Sequence, residues 1–213
     1  VIMLKKEKYD GFFGGLYKRN ETFLMLSTVI VLISILLGYA LASFLSPILA
    51  SIFGDFKRRV VQGQIKLTTI SIFANNLKVA LFIYVGGLLL GSVTVIYLII
   101  NGLFIGYAGT QFPLGDYIIY TIPHGILELI GIIISGAAGF RLASCVYHIF
   151  QGLSNMRSDI SRTNQFKYIL ELNSDEFWES LKLLVIAVVF LIVAAFIEAN
   201  LSIAWGNYIK SVA

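Results

Sequence analysis

Long uncharged stretches alternate with short polar segments along the chain. No charged residue occurs from Thr22 to Gly54 or from Val79 to Gly115, and Leu183–Ile197 is a further uninterrupted apolar run. A helix needs about 20 predominantly apolar residues to cross the hydrocarbon core of a bilayer. The pattern therefore predicts membrane-spanning helices whose ends lie at the polar segments.

We predict an all-α, polytopic membrane protein with about five transmembrane, tightly packed glycine-rich helices, approximately at 22–46, 76–91, 93–110, 120–148 and 177–199. The count depends on segment 79–110. At about 1.5 Å per residue, this segment holds two spans only if both are short and joined by a tight hinge, for which Gly86–Gly91 is the natural place. One long bent helix is the alternative, which gives four spans and returns the C-terminus to the inside.

The predicted organisation is a basic juxtamembrane segment, residues 1–21, followed by a single transmembrane domain, residues 22–213. The apolar stretch after residue 21 is too long for the core of a signal peptide, so we expect the first span to remain as an anchor. The segment 151–176 is polar. Within it, Asn173-Ser174-Asp175-Glu176 resembles a helix start, with a capping residue followed by acids.

Composition supports a membrane protein and indicates its orientation. Apolar residues make up 58% of the 213 and charged residues 13%, about half the charged share of an ordinary soluble domain. The net charge of +4 favours cytoplasmic basic loops and lipid headgroups over nucleic acid, which we do not expect as a partner. Basic segments 1–21 and 151–176 predict a cytoplasmic N-terminus and an external C-terminus, although Lys57–Arg59 and Lys66 do not fit.

An ionisable pair lies within one of the predicted spans, in the sequence Pro123-His124-Gly125-Ile126-Leu127-Glu128. His124 and Glu128 are four residues apart and share one face of a helix. Ionisable groups are costly in hydrocarbon unless they face a protein interior, a partner or water. The pair therefore indicates either a proton, ion or metal site or a structural hydrogen-bonded pair, and we favour the structural interpretation.

Small residues continue the same helical face. Because small side chains let membrane helices approach closely, we expect this stripe to be buried against other helices. The predicted helix-packing residues are Gly87, Gly91, Gly102, Gly106, Gly125, Gly131, Ser135, Gly136 and Gly139. The spacing of Gly87 and Gly91, and of Gly102 and Gly106, favours tight internal packing, with a homodimer as the alternative.

Other polar residues extend the predicted intramembrane cluster: Glu198, Asn101, Asn75 and Asn76. Glu198 ends the last apolar run, so it either caps that span at the interface or joins His124 and Glu128. Arg141 lies in a long helix, and we favour a side chain that extends to the interface over one that pairs with an acid.

Enzyme chemistry is not predicted. The sequence has no glycine-rich phosphate loop, nucleophile elbow, CxxC motif or metal-protease motif. One histidine and one glutamate are fewer than the three protein ligands that catalytic zinc sites use. We therefore expect no cofactor and no metal.

In order and spacing, these residues resemble the stage II sporulation protein M family. The resemblance covers about residues 70–200. It rests on Asn75-Asn76, the glycine-rich span, Asn101-Gly102 with Gly106, Pro123-His124-Gly125 with Glu128, Ser135-Gly136-Ala137-Ala138-Gly139 and Ala194–Glu198. It implies a five-helix membrane protein. Founding bacterial members act in engulfment during spore formation with partners that remodel peptidoglycan, whereas relatives also occur in organisms that form no spores.

Three functions follow as hypotheses. The leading one is a membrane scaffold or subunit of a membrane or cell-envelope complex, whose partners are the lipid bilayer and other membrane or envelope proteins. The second is a transporter or channel-like subunit in which His124, Glu128 and Glu198 bind protons or cations. The third is an intramembrane enzyme, which needs a third group such as Glu198 or Asn101 beside the pair.

Overall fold

The computed structural model describes residues 11–62, 68–156 and 161–212. In these ranges all regular structure is helical, which confirms the predicted all-α fold. In chain order the elements are α1 (Phe12–Ala40), α2 (Ala42–Val61), α3 (Thr69–Val85), a 3-10 turn (Gly86–Leu89), α4 (Ser92–Ala108), α5 (Leu114–Ser154), α6 (Arg162–Asn200) and α7 (Ser202–Val212).

Four helical segments of the described chain are long and apolar enough to cross a membrane: Phe12–Ala40, Thr69–Leu89, Leu114–Ser154 and Arg162–Asn200. α4 is also apolar, but its 17 residues extend only about 26 Å, less than the roughly 30 Å of a hydrocarbon core. The prediction of five spans is therefore wrong for the described residues. The predicted segment 93–110 matches α4 within two residues, so the count differs because this helix is too short to span and not because it was misplaced.

The predicted hinge in segment 79–110 is present, so the alternative of one bent helix is wrong in its geometry, although its count of four spans agrees with the structure. Leu90 and Gly91 adopt left-handed backbone conformations, with φ of 53° and 80°. The Thr94 hydroxyl donates a hydrogen bond to the carbonyl of Ile83 over 2.8 Å. This bond joins the end of α3 to the start of α4, which turns back along α3.

α5 and α6 form a long antiparallel pair against which the other helices pack. Gly131 of α5 contacts Leu191 of α6, whereas Gly152, near the end of α5, contacts Ile169, near the start of α6. α1 also lies along α5, where the Ser27 hydroxyl donates a hydrogen bond to the carbonyl of Ile133 over 2.8 Å.

Glycines lie where helices meet at backbone distance. A Cβ added at Gly102 would stand 2.5 Å from the Cβ of Ser34, and one at Gly106 would overlap the carbonyl oxygen of Ile35. Gly87, Gly131, Gly136 and Gly139 also face atoms of neighbouring elements. Gly91 faces Phe140 and Ala143, and Ser135 is buried. For Gly125, by contrast, the atoms within 4 Å belong to Thr121 of its own helix.

Helix boundaries differ from the prediction in the polar segments 1–21 and 151–176. α1 begins at Phe12 and ends at Ala40, so the described part of segment 1–21 is mostly helical and span 22–46 is interrupted at Leu41. Residues 1–10 lie outside the described residues.

α6 begins at Arg162, so the predicted helix start at Asn173–Glu176 is wrong. Packing on α5 carries the helix through this polar sequence, because Ile169 and Asn173 are buried there. The Asn173 amide donates a hydrogen bond to the carbonyl of Ile169 over 2.8 Å, so it bonds back within the helix rather than capping it.

Candidate functional site

The structure brings His124, Glu128 and Glu198 together, and we call these three residues the His-Glu-Glu cluster. One ligand atom from each lies within 4.8 Å of the other two. His124 and Glu128 come from adjacent turns of α5, and Glu198 comes from the last turn of α6. Each of the three residues is partly buried. Glu198 was expected either at the end of its span or in the cluster. In the structure it lies at both places, because the end of α6 reaches the cluster.

The imidazole of His124 is oriented by Ser202, the first residue of α7. The Nδ1 atom lies 2.8 Å from the Ser202 hydroxyl oxygen, and that hydroxyl donates a hydrogen bond to the carbonyl of Ile197 over 3.3 Å. In the tautomer that satisfies both contacts, the hydroxyl proton is used in this second bond and the Ser202 oxygen accepts the first one from Nδ1–H. The Nε2 atom is then left with its lone pair, 4.0 Å from a carboxylate oxygen of Glu198.

His124 is the basic neighbour of the two carboxylates among the described residues. Among residues 11–62, 68–156 and 161–212, no lysine or arginine lies within ion-pair distance of Glu128 or Glu198. Two like charges at this separation repel each other, and the repulsion is strongest where water is scarce. The arrangement therefore suits a proton or a cation shared between the side chains.

α7 packs against α5 next to the cluster. Gly206 packs against the ring of Tyr120, and the Tyr120 hydroxyl donates a hydrogen bond to Asn207 over 3.0 Å. Lys210 contacts Asp116 at 2.7 Å, and this hydrogen bond raises the pKa of the Lys210 ammonium group. These contacts hold Ser202 in position beside His124.

The three predicted asparagines are not bonded to the cluster. The Asn101 amide donates a hydrogen bond to the Tyr97 carbonyl within α4 over 3.2 Å. Asn76 is buried in α3, whereas Asn75 on the same helix is exposed. In the described part of the chain, no hydrogen bond joins these residues to His124, Glu128 or Glu198.

A second polar group surrounds Glu179, and we call Arg19, Arg141, Glu176 and Glu179 the arginine cluster. Arg141 is 7% exposed and Glu179 is 4% exposed, and Arg141 Nη2 lies 2.9 Å from a carboxylate oxygen of Glu179. Arg19 of α1 pairs with the other oxygen of Glu179. The interpretation that Arg141 extends to the interface is therefore wrong, and the alternative, pairing with an acid, is what the structure shows.

Neighbouring polar groups complete the arginine cluster. The amide of Asn20, which is fully buried, lies 3.4 Å from Glu179. Glu176 accepts a hydrogen bond from Ser144 over 3.2 Å and lies 3.1 Å from Nδ1 of His148. The cluster thus joins α1, α5 and α6 at one level of the bundle.

Sequence reasoning missed Glu179. The residue lies at the polar start of the last predicted span, where an acid is unremarkable. The available signal was Arg141, a cation in an apolar helix, which calls for an acid in a neighbouring helix. The two clusters are separated along α5 by 13 residues between Glu128 and Arg141, or about 20 Å, and the intervening residues are mainly small or apolar.

Comparison with known proteins identifies a family and two relatives of the chain. The sequence profile of the family described as Stage II sporulation protein M matches residues 27–203. An uncharacterised protein of Methanocaldococcus jannaschii is 25% identical over 196 residues, covering 86% of this chain and 83% of the relative. A second uncharacterised protein of that organism is 29% identical over 144 residues, covering 65% of this chain and 73% of the relative.

No solved structure matches the chain. The matched range contains the glycine contacts between α1 and α4, the His-Glu-Glu cluster and the paired residues Arg141 and Glu179. It includes most of the described helices, from within α1 to the start of α7. The chain belongs to the stage II sporulation protein M family.

Proposed function

We propose that the chain is a non-enzymatic membrane subunit that offers a rigid helical platform to other membrane or cell-envelope proteins. Internal pairing supports rigidity, because the buried ions Arg141 and Glu179 neutralise each other. The buried Tyr84 and Ser180 hydroxyls also lie 3.0 Å apart and bond to each other. Side chains committed to each other in this way fix the packing of the helices.

The observation that carries the proposal is the extension of α5 and α6 past the α3–α4 turn. That turn packs against α5 at Gly139 and Ala143, and α5 continues for 11 more residues, or about 17 Å, to Ser154. We call residues 144–154 and 162–176 the extension. Its exposed aromatic side chains are Tyr147, Phe150, Phe166 and Tyr168, which are 47–63% exposed. Exposed aromatic groups beyond the packed bundle suit contact with a partner protein.

The proposed topology places the extension in the cytoplasm. α1 and α6 both run antiparallel to α5, so the start of α1 and the end of α6 lie at opposite ends of the bundle. Arg19, Arg162 and Lys167 lie toward the end that carries the extension, whereas Asp116 and its partner Lys210 lie at the other end. The excess of basic residues favours the extension as the cytoplasmic side.

Photocrosslinking tests the platform. We expect a photoreactive amino acid at Tyr147 or Tyr168 to form discrete protein adducts in native membranes. The same amino acid at Leu36 and Val189, which are exposed on apolar helices, serves as the lipid-facing control and should give none of these adducts. The proposal fails if the extension positions, in protein that elutes like wild type, give no adducts or only those of the controls.

A second function, movement of protons or cations, is favoured by the His-Glu-Glu cluster alone. In that case the purified protein in liposomes should show pH-dependent flux that Glu128→Gln abolishes, while Glu171→Gln, an exposed change on α6, leaves it intact. If wild type and Glu128→Gln match empty liposomes in proton and cation flux, the transport hypothesis is wrong and the platform remains.

A further inference from the structure

We propose that His124, Glu128 and Glu198 bind one divalent transition-metal ion that fastens the α6–α7 corner to α5. This inference does not depend on the platform function, and it replaces the sequence-based expectation of no metal, because Glu198 supplies a third ligand. The metal-ligating atoms are Nε2 of His124 and one carboxylate oxygen from each glutamate. Imidazole and carboxylate ligands together suit first-row divalent ions such as Zn²⁺.

The first support is the state of the histidine. Histidines that bind metals usually donate their other ring N–H to a hydrogen-bond acceptor, which fixes the ring and its tautomer. Here Nδ1 is used in the bond to Ser202, and Ser202 in turn donates to the Ile197 carbonyl. In the tautomer with its proton on Nδ1, His124 is held with the lone pair of Nε2 free, and Nε2 lies 4.0 Å from a carboxylate oxygen of Glu198.

The second support is distance. Ligands bound at about 2.0–2.1 Å in a tetrahedral site stand roughly 3.4 Å from one another. The three ligand atoms lie within 4.8 Å of each other. Side-chain rotations that move each ligand atom by about 1 Å therefore close the site without moving a helix. Three protein ligands leave a fourth position for water.

The third support is charge. Two carboxylates and a neutral imidazole carry a total of −2, so a divalent ion makes the site neutral. A neutral group costs far less than an uncompensated pair of carboxylates at the edge of a membrane interior. Glu128 and Glu198 differ in this respect from the acids of the arginine cluster, since Glu179 is already neutralised by Arg141 and Arg19.

The location shows what the ion does. Two ligands lie on α5, and the third lies two residues before the end of α6, where Leu201 separates α6 from α7. An ion bound there joins two helices and the segment that carries Ser202. Its effect is to stabilise the packing of α7 on α5.

Metal binding to detergent-solubilised protein tests the inference. After treatment with a chelator and removal of the chelator, equilibrium dialysis against Zn²⁺ should give one ion per chain, and Zn²⁺ should raise the thermal midpoint. Glu128→Gln, Glu198→Gln and His124→Gln should each lower the affinity by at least about tenfold. Glu171→Gln and His148→Gln, which alter an acid and a histidine outside the cluster, should bind as wild type does.

Ser202→Ala provides a variant that retains all three ligands. It removes only the group that orients His124, so we expect a loss of Zn²⁺ affinity of about 10–100-fold, with unchanged elution in size-exclusion chromatography. If the ligand variants do not fold, the Zn²⁺ affinity of Ser202→Ala tests the inference in their place. The inference is overturned if wild type binds no Zn²⁺, or if folded cluster variants and Ser202→Ala bind it as tightly as Glu171→Gln does.

Discussion

Glu179→Gln is expected to lower the thermal midpoint of the detergent-solubilised protein by about 6–20 °C. The substitution keeps the shape of the side chain but leaves Arg141, only 7% exposed, without its partner at 2.9 Å. Breaking a buried ion pair by removing one charge costs about 3–5 kcal/mol, and each kcal/mol corresponds to roughly 2–4 °C for a chain of this size. Glu176 stands 3.9 Å from Arg141, too far for a replacement hydrogen bond.

The matched control is Glu171→Gln, which makes the same chemical change on the same helix at an exposed position. It removes no buried pair, so its midpoint should stay near that of wild type, as surface substitutions generally do within about 0.5 kcal/mol. Equal midpoints for the two variants would show that Glu179 is not the partner that Arg141 requires.

Gly106→Ala is expected to cause the second large loss of stability, because the added methyl group separates α4 from α1. The added methyl group meets the carbonyl oxygen of Ile35 and the amide of Tyr39, which are backbone atoms that cannot rotate away. Overpacking costs about 1–3 kcal/mol, more than the helix preference of alanine over glycine returns, at most about 1 kcal/mol. We therefore expect a lower thermal midpoint.

Gly115→Ala is the control for this comparison. Nothing lies within 4 Å of a Cβ at Gly115, so the same methyl group fits there without displacing a helix. Its midpoint should equal or exceed that of wild type in a thermal melt followed by size-exclusion chromatography. If Gly106→Ala and Gly115→Ala have the same thermal midpoint, the contact between α1 and α4 is looser than the structure indicates.

Local sequence signals predicted the features that local chemistry determines. Gly91 has a positive φ that side chains rarely adopt, so the hinge is visible in the sequence. The spacing of His124 and Glu128 placed both on one helix face, and the position of Glu198 at the end of an apolar run made it a candidate for the same cluster. Small residues such as Gly102 and Gly106 indicated close packing.

Features that depend on distant residues were not predictable in this way. The polar start of α6 is helical because Ile169 packs on Gly152 of α5, and no local signal records that contact. Arg141 and Glu179 are 38 residues apart, so neither identifies the other from spacing. The span count was wrong because α4, although its position was predicted within two residues, has only 17 residues.

The central claim is that polar groups inside this bundle pair with one another and thereby fix its packing. A double-mutant cycle of Arg141→Met and Glu179→Leu, measured as free energies of unfolding in SDS, tests it most directly. We expect Glu179→Leu to lose about 3–5 kcal/mol, Arg141→Met to lose less because Arg19 still pairs with Glu179, and the double variant to lose less than the sum of the two. Losses that simply add in the double variant would contradict the claim.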